Sequence, residues 1–494
     1  MAVMELDRRV ADLATHPKRL LIGGEWVEAA SGRTFETVNP ATGETLAEIA
    51  WGEAEDVDRA VRAARRAFDD GPWRRMTASD RGKLIWRIGD LILANLDELA
   101  ELETLDNGKP IGVARVADVP LAADLFHYMA GWTTKITGDT FPVSVLYAPG
   151  ARFHAYTAKE PVGVVGQIIP WNFPLLMAAW KLGPVLAAGC TVILKPAEQT
   201  PLSALRLGEL IQEAGMPDGV VNIVTGFGEA GAALAAHDDV DKVAFTGSTE
   251  VGKLIVQAAA GNLKKVSLEL GGKSPNVVYA DADIETAIQG SASSIFFNHG
   301  QCCCAGSRLL IEEPIFDEVV AGVAEIARNT KVAPGYEDGC EMGPLVSAEQ
   351  LDRVTGYLES GFAEGAEAVV GGHRHGDRGY FVEPTVLINT RPEMKVVREE
   401  IFGPVVAAIP FSGDVTATAN ATEYGLAAGI WTRDISKAHR TAEALRAGTV
   451  WVNCYNIFDS ALPFGGYKQS GWGREMGGEV LNNYLETKAV CIGL

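Results

Sequence analysis

From Val162 onward the chain alternates short Val- and Ile-rich runs with helical patterns, and this constrains the fold more than anything else in the sequence. The runs are VGVVGQIIP, TVILKP, VVNIVTG, KVAFTG and KVSLELGG. Between them lie helical stretches: about Pro174 to Ala188, about Thr200 to Ala214, GEAGAALAAH and STEVGKLIVQAAA. A strand that is apolar at nearly every position is covered on both faces, and helices between such strands provide the cover. The spacing therefore predicts an α/β architecture, a doubly wound parallel sheet of the dinucleotide-binding type. A second α/β unit begins near Ser274, continues to about Ala447, and ends in the glycine-rich PFGGYKQSGWGREMGG. Residues 54–70 and 78–105 show apolar positions at helical spacing, so the opening region is predicted to be largely helical. Residues 139–160 and the tail NYLETKAVCIGL read as extended segments outside both units. They either pair with something else or close a surface sheet of their own.

A chain of 494 residues exceeds one ordinary core, so two or three domains are expected. Its 54 glycines have no collagen-like period and point to tight turns and close backbone approaches. The net charge of −21, from 43 Lys+Arg against 64 Asp+Glu, argues against nucleic acid or an anionic membrane as a partner. The N-terminus lacks the apolar core and cleavage site of a secretory signal. The most apolar stretch, Pro174 to Pro196, contains Lys181, Lys195 and several prolines and glycines, so a membrane span is not expected there. Seven cysteines, three of them adjacent, form neither a disulfide framework nor a zinc-ligand pattern. No metal is expected, and the cytoplasm is the default compartment.

Four stretches carry the chemistry. FFNHGQCCCAGSR sets three thiols between glycine-containing turns, a setting able to expose one of them as a nucleophile. A single cysteine is more often a small buried hydrophobe. LELGGKSP places Glu269 among apolar neighbours, where a carboxylate has a raised pKa and serves as a general base, although most glutamates are exposed. FTGSTEVG is a strand, turn and helix start suited to a pyrophosphate, yet it lacks the GxGxxG fingerprint. PWNFPLLMAAWKL displays Asn172 after a strand, where its amide could hold an oxyanion. Lys195 and Glu198 follow the next strand and suit the hydroxyls of a ribose, or form a plain ion pair.

Together with REEIFGPV, these motifs closely resemble the aldehyde dehydrogenase superfamily, from about Gly23 to Thr487. The resemblance is to NAD(P)-dependent, non-acylating enzymes, similar to bacterial phenylacetaldehyde-type, broad-range and betaine aldehyde enzymes. It implies a Rossmann-like NAD-binding domain over 1–138 and 161–272, a catalytic domain over 273–475, and an oligomerisation arm over 139–160 and 476–494. It further implies Cys303 as nucleophile, Glu269 as general base and Asn172 as oxyanion donor. The adduct on Cys303 would be oxidised to a thioester and hydrolysed by water activated by Glu269. For the cofactor it implies Trp171, Lys195, Glu198, Gly247, Ser248, Glu400 and Phe402, with Gln350 and Arg353 by alignment. Glu198 favours NAD over NADP, because a carboxylate repels a 2′-phosphate. A tunnel of Phe173, Met177, Trp180, Phe297 and Phe458 favours an apolar aldehyde, and these aromatics would equally suit an ordinary core. Asp459 near its mouth would suit a cationic one. A homodimer or homotetramer is expected, the arm extending a neighbour's sheet. Three other readings are an acyl-CoA-forming enzyme, a thiol hydrolase and a recruited NAD-binding structural protein. The presence of Glu269 disfavours the first, and the lack of a placed catalytic histidine other than His299 disfavours the second. The intact Cys303, Glu269 and Asn172 set disfavours the third.

Overall fold

The Val- and Ile-rich runs form the expected strands in a computed structural model that describes residues 18–494. Residues 1–17, part of the stretch read as lacking a secretory signal and of the 1–138 segment, lie outside the described residues.

The first sheet has eight strands, and its centre is parallel in the order Lys265–Glu269, Lys242–Thr246, Val164–Ile168, Thr191–Lys195, Val221–Ile223. Every residue of Val164–Ile168 and Thr191–Lys195 is buried, which explains runs that are apolar throughout rather than alternating. The chain winds outward from Val164–Ile168 to Val221–Ile223, then returns to lay the other two strands on the opposite side. The winding reverses between Val164–Ile168 and Lys242–Thr246, and such a reversal opens a crevice at the carboxyl ends of the strands.

The helix Pro174–Ala188 crosses beneath this sheet with all 15 residues buried. Proline suits its first turn, where an N–H has no helical partner, and Gly189 ends it in the left-handed conformation at φ 91°. Its apolar character thus reflects full burial in the protein. Among the described residues, no helix is long and apolar enough to cross a membrane.

The opening region is largely helical, as expected over 54–70 and 78–105, but it begins with strands that were not foreseen. The strands Leu20–Ile22, Glu25–Val27, Thr34–Asn39 and Glu44–Ala50 precede the helices Ala54–Asp69, Ala78–Ala94 and Leu96–Asn107. The first two strands add antiparallel to the edge of the first sheet at Ile223, and the other two form a separate hairpin. Three-residue strands are too short to display a period. In the hairpin, the buried positions of Thr34–Asn39 include Thr37 and Asn39, so the alternation in burial is not one of hydropathy.

Only Leu270 to Ser274 separate Glu269 from Pro275–Val278, a central strand of the second, seven-stranded sheet. The carboxyl edge of the first sheet therefore meets the second where that sheet begins. Residues 139–160 and the tail supply a third sheet: Leu485–Gly493 pairs antiparallel along the whole of Phe153–Pro161, with Thr140–Phe141 on the far side. The two leftover segments thus pair with each other. Among the described residues, no strand lies beside the outer edge of Leu485–Gly493.

Candidate active site

A cavity of about 620 Å³ opens where the two large sheets meet. All the predicted site residues line it except Lys195 and Glu198.

Cys303 lies on the loop between the helix Ile284–Phe296 and the strand Arg308–Glu312. Asn298, His299 and Gly300 are successively left-handed, at φ 49°, 58° and 69°. At Gly300 no other residue fits, because a Cβ there would lie 2.0 Å from the Gly403 carbonyl oxygen. Strain of this kind persists only where the surroundings enforce it. Here Asn298 Nδ2 donates to the carbonyls of Asn172 (2.9 Å) and Gln301 (3.1 Å), and the Val346 N–H donates to Gln301 Oε1 (3.1 Å). The turn leaves Cys303 partly exposed between buried Cys302 and Cys304, whose sulfurs are 3.3 Å apart. Contact with Cys302 and then burial raise the Cys303 thiol above its usual pKa, against a lowering contact with Cys304.

Asn172 follows the strand Val164–Ile168, and its Nδ2 donates to the Gln301 carbonyl (3.0 Å), two residues before Cys303. An amide nitrogen has two donors, so one N–H is left for a substrate oxygen. Asn107 Nδ2 fixes the adjoining turn by donating to the Trp171 carbonyl (2.8 Å).

Glu269 ends its strand at 5% exposure, and neither carboxylate oxygen has a hydrogen-bond partner among the described residues. Burial first, and Glu475 second, raise its pKa well above the carboxylate range. Behind it, Glu475 and Lys181 form an ion pair that is almost wholly buried. Sequence reasoning gave Glu475 no role, although it stands in the glycine-rich GREMGG; Lys181 entered only as evidence against a membrane span.

The other end of the cavity is glycine-rich. Gly247 joins Thr246 to the helix Thr249–Ala259, and a Cβ on it would lie 2.5 Å from the Phe245 ring. Ser248 caps that helix by accepting from the Val251 N–H (3.3 Å). Glu400 accepts from the Gly272 N–H (2.9 Å), and burial pushes its pKa up to about 7. Phe402, at φ 61°, meets Trp171 edge-on at 5.2 Å. Gln350 Nε2 donates to the Phe402 carbonyl (2.6 Å) and Arg353 Nη2 to the Glu400 carbonyl (2.7 Å), so both brace this loop. Lys195 and Glu198 form a 3.2 Å ion pair at the carboxyl edge of the neighbouring strand.

Aromatic rings wall the end beyond Cys303. Phe173 stacks on Phe297 at 6.1 Å, and Trp180 packs against Phe458 at 6.1 Å and Phe464 at 5.4 Å. Leu121, Asn456 and Phe464 also line it and were missed. Phe464 alone had a signal, its place in PFGG; the other two depend on packing between distant helices and loops. Asp459 is exposed, accepts from the Ala461 N–H (2.8 Å) and does not line the cavity. His299 is buried away from the cavity, its pKa pushed down to about 3 by burial and by Lys109. No metal-binding cluster occurs among the described residues.

The sequence model of the aldehyde dehydrogenase family matches residues 26–490. A putative aldehyde dehydrogenase of Bacillus subtilis is 55% identical over 494 residues, covering 99% of each chain. A mitochondrial benzaldehyde dehydrogenase of Antirrhinum majus is 50% identical over 96% of this chain and 89% of its own. The NAD+ complex of an aldehyde dehydrogenase from Bacillus cereus superposes with a TM-score of 0.97, at 51% identity and 99% coverage of both chains.

Proposed function

Because this chain belongs to the aldehyde dehydrogenase family and is an NAD-dependent aldehyde dehydrogenase, we propose that it oxidises apolar aldehydes, aliphatic or aromatic, to carboxylic acids through Cys303. One observation carries the reading. A single cavity has a partly exposed thiol, an unpartnered buried carboxylate and an amide donor at its middle, aromatic walls at one end and a glycine-rich cradle at the other.

The cradle fits a dinucleotide. A Cβ at Gly247 would meet the Phe245 ring, and one at Gly271 would fall 2.2 Å from the Glu400 carboxylate, so glycine keeps backbone N–H groups approachable at a helix start. Gly247 and Ser248 would hold the pyrophosphate, Lys195 and Glu198 the adenosine ribose, and Glu400, Phe402 and Trp171 the nicotinamide side, with Gln350 and Arg353 bracing them. Glu198 would favour NAD over NADP. Bound NAD supplies the two-electron acceptor that takes an aldehyde-level adduct to the acid level.

The chain's own residues act before and after that oxidation. Cys303 Sγ, once deprotonated, forms a C–S bond to the carbonyl carbon, and the oxyanion is held by Asn172 Nδ2 and the Cys303 backbone N–H. At the thioester stage, Glu269 takes a proton from water as the water oxygen bonds to the acyl carbon. The C–S bond then breaks, the thiol is restored and the acid leaves. The raised pKa of Glu269 suits it to this exchange near neutral pH. Exposure of Asp459 outside the cavity supports an apolar over a cationic substrate.

We also read residues 1–138 with 161–272 as the cofactor domain, 273–475 as the catalytic domain, and 139–160 with 476–494 as an arm that joins subunits.

The test is NADH absorbance with NAD and hexanal, benzaldehyde, phenylacetaldehyde, betaine aldehyde or glyceraldehyde, each beside Cys303→Ala. Turnover of the apolar aldehydes that vanishes in the variant is expected. Betaine aldehyde turned over in preference to all three apolar aldehydes would overturn the substrate reading, and an active Cys303→Ala would overturn the mechanism.

A further inference from the structure

The helix Leu96–Asn107 is buried from Glu98 to Asn107, although Glu98, Glu101, Glu103, Thr104, Asp106 and Asn107 are polar. Burying polar groups is unfavourable unless they find partners. Near the carboxyl end of this helix, partners come from the backbone segment that displays Asn172. Glu103 Oε1 accepts from the Leu175 N–H (2.9 Å), and Asn107 Nδ2 donates to the Trp171 carbonyl (2.8 Å) and, at 3.4 Å, to the Asn172 carbonyl. Both neighbours of the Asn107 amide are carbonyl oxygens, so only its nitrogen can face them. Its Oδ1 is buried and has no partner among the described residues. Asn107 thus serves as a donor at one place.

Those two carbonyls belong to the peptide groups on either side of the Asn172 Cα. One nitrogen therefore holds both peptide planes, and with them the direction in which the Asn172 side chain leaves the backbone. Asn298 Nδ2 holds the Asn172 carbonyl from the cysteine turn (2.9 Å), and Asn172 Nδ2 gives one N–H to the Gln301 carbonyl (3.0 Å). Whether the other N–H meets an oxyanion depends on placement within a fraction of an ångström. Asn107 is fully buried and does not line the cavity, so it acts on the reaction only through the residues it holds.

We propose that Asn107 is a positioning residue for the oxyanion donor: its amide sets the peptide groups flanking Asn172 so that the free N–H of Asn172 points at the carbonyl oxygen of the bound aldehyde. This rests on the reading of Asn172 given above and extends it to a residue outside the cavity.

The experiment is a double-mutant cycle on kcat/KM for hexanal and benzaldehyde at saturating NAD. Asn107→Leu and Asn107→Ala are each made alone and together with Asn172→Ala. Leucine fills the space of asparagine without a donor, whereas alanine also leaves a gap. The expected result is a loss of about ten- to a hundredfold for both Asn107 variants when Asn172 is present. Almost no further loss is expected in the Asn172→Ala background, where no donor remains to be aimed. NAD affinity and the rate of iodoacetamide labelling of Cys303 stay at wild-type values, because neither uses an oxyanion. Equal losses in both backgrounds, or a loss confined to Asn107→Ala, overturns the proposal and leaves Asn107 a packing residue. A fall in NAD affinity or in labelling also overturns it, making Asn107 a support of the cofactor or of the nucleophile. So does failure of both variants to fold, because a residue that only aims Asn172 is dispensable for folding. A harmless Asn172→Ala overturns the oxyanion reading itself, an outcome distinct from losses that multiply on an impaired Asn172→Ala.

Discussion

Glu269 and Glu475 are two buried carboxylates with different surroundings. Glu475 is paired with Lys181, whereas Glu269 has no hydrogen-bond partner among the described residues and is raised by burial and by the charge of Glu475. Glu475→Gln removes one raising influence and leaves the lowering influence of Lys181 unopposed. The pKa of Glu269 therefore falls, its base form persists to lower pH, and the acid limb of kcat against pH shifts to lower pH. The same substitution leaves a buried lysine without its counter-charge, which costs about 3–5 kcal/mol and is expected as a lowered Tm. A lowered Tm with an unmoved acid limb would show that the pair does not tune Glu269. Asn172 is tested more directly. Losing one oxyanion donor costs about 2.7–4 kcal/mol, so Asn172→Ala should lower kcat by about a hundred- to a thousandfold. NAD affinity, read by fluorescence titration, should hardly change, and a small effect on kcat would remove Asn172 from the oxyanion site.

Gly300 shows how an element, rather than a side chain, makes a nucleophile. Three consecutive left-handed residues turn the chain so that Cys303 faces the cavity while its two neighbours are buried. In Gly300→Ala the new methyl would sit 2.0 Å from the Gly403 carbonyl, so the turn must shift, and the Phe402–Gly403 loop with it. The expected outcome is slow iodoacetamide labelling of Cys303 and a large loss of activity in a protein that still folds; labelling at the wild-type rate would show that the turn does not position the thiol. Glycine and small residues around the thiol made this turn legible in the sequence, but the strain at Asn298 and His299 was not, because asparagine and histidine, though enriched at positive φ, adopt it at only a minority of positions. The same contrast runs through the fold. Buried parallel strands such as Thr191–Lys195 were legible because both faces demand apolar residues. The edge strands Leu20–Ile22 and Glu25–Val27 were not, being short and stabilised mainly by pairing with a distant part of the chain. In the site, Cys303 and Glu269 announce themselves by composition, whereas Leu121, Asn456 and Phe464 become lining residues only once the helix Val119–Trp132 and the loop after Val452 converge.

At the scale of the molecule, the third sheet presents an edge that no strand among the described residues covers. Among the described residues, Leu485–Gly493 pairs with Phe153–Pro161 on one side and with no strand on the other, where only the Leu485 carbonyl accepts, from Lys265 Nζ (3.1 Å). A long open edge of this kind is a template for strand addition. Apolar side chains cluster on the same sheet and its connections: Phe141, Leu146, Tyr147, Ile492 and Leu494 are all exposed, Leu146 and Tyr147 at more than 90%. A chain with a net charge of −21 is kept apart by its own charge, so association must come from backbone pairing and apolar contact rather than charge attraction. Light scattering should therefore find a dimer or tetramer, and raising the salt concentration should not dissociate it, because repulsion between acidic subunits is what salt screens. Removing residues 486–494 should yield smaller species, and so should Ile492→Lys combined with Leu494→Lys, which leaves the ladder to Phe153–Pro161 in place. A wild-type monomer, or an assembly indifferent to both changes, would show that the open edge serves no other subunit. Because Tyr484 and Leu485 are buried and the residues after them are exposed or half-buried, this truncation point stays outside the core, and folding of the shortened chain can be checked by circular dichroism before its size is read.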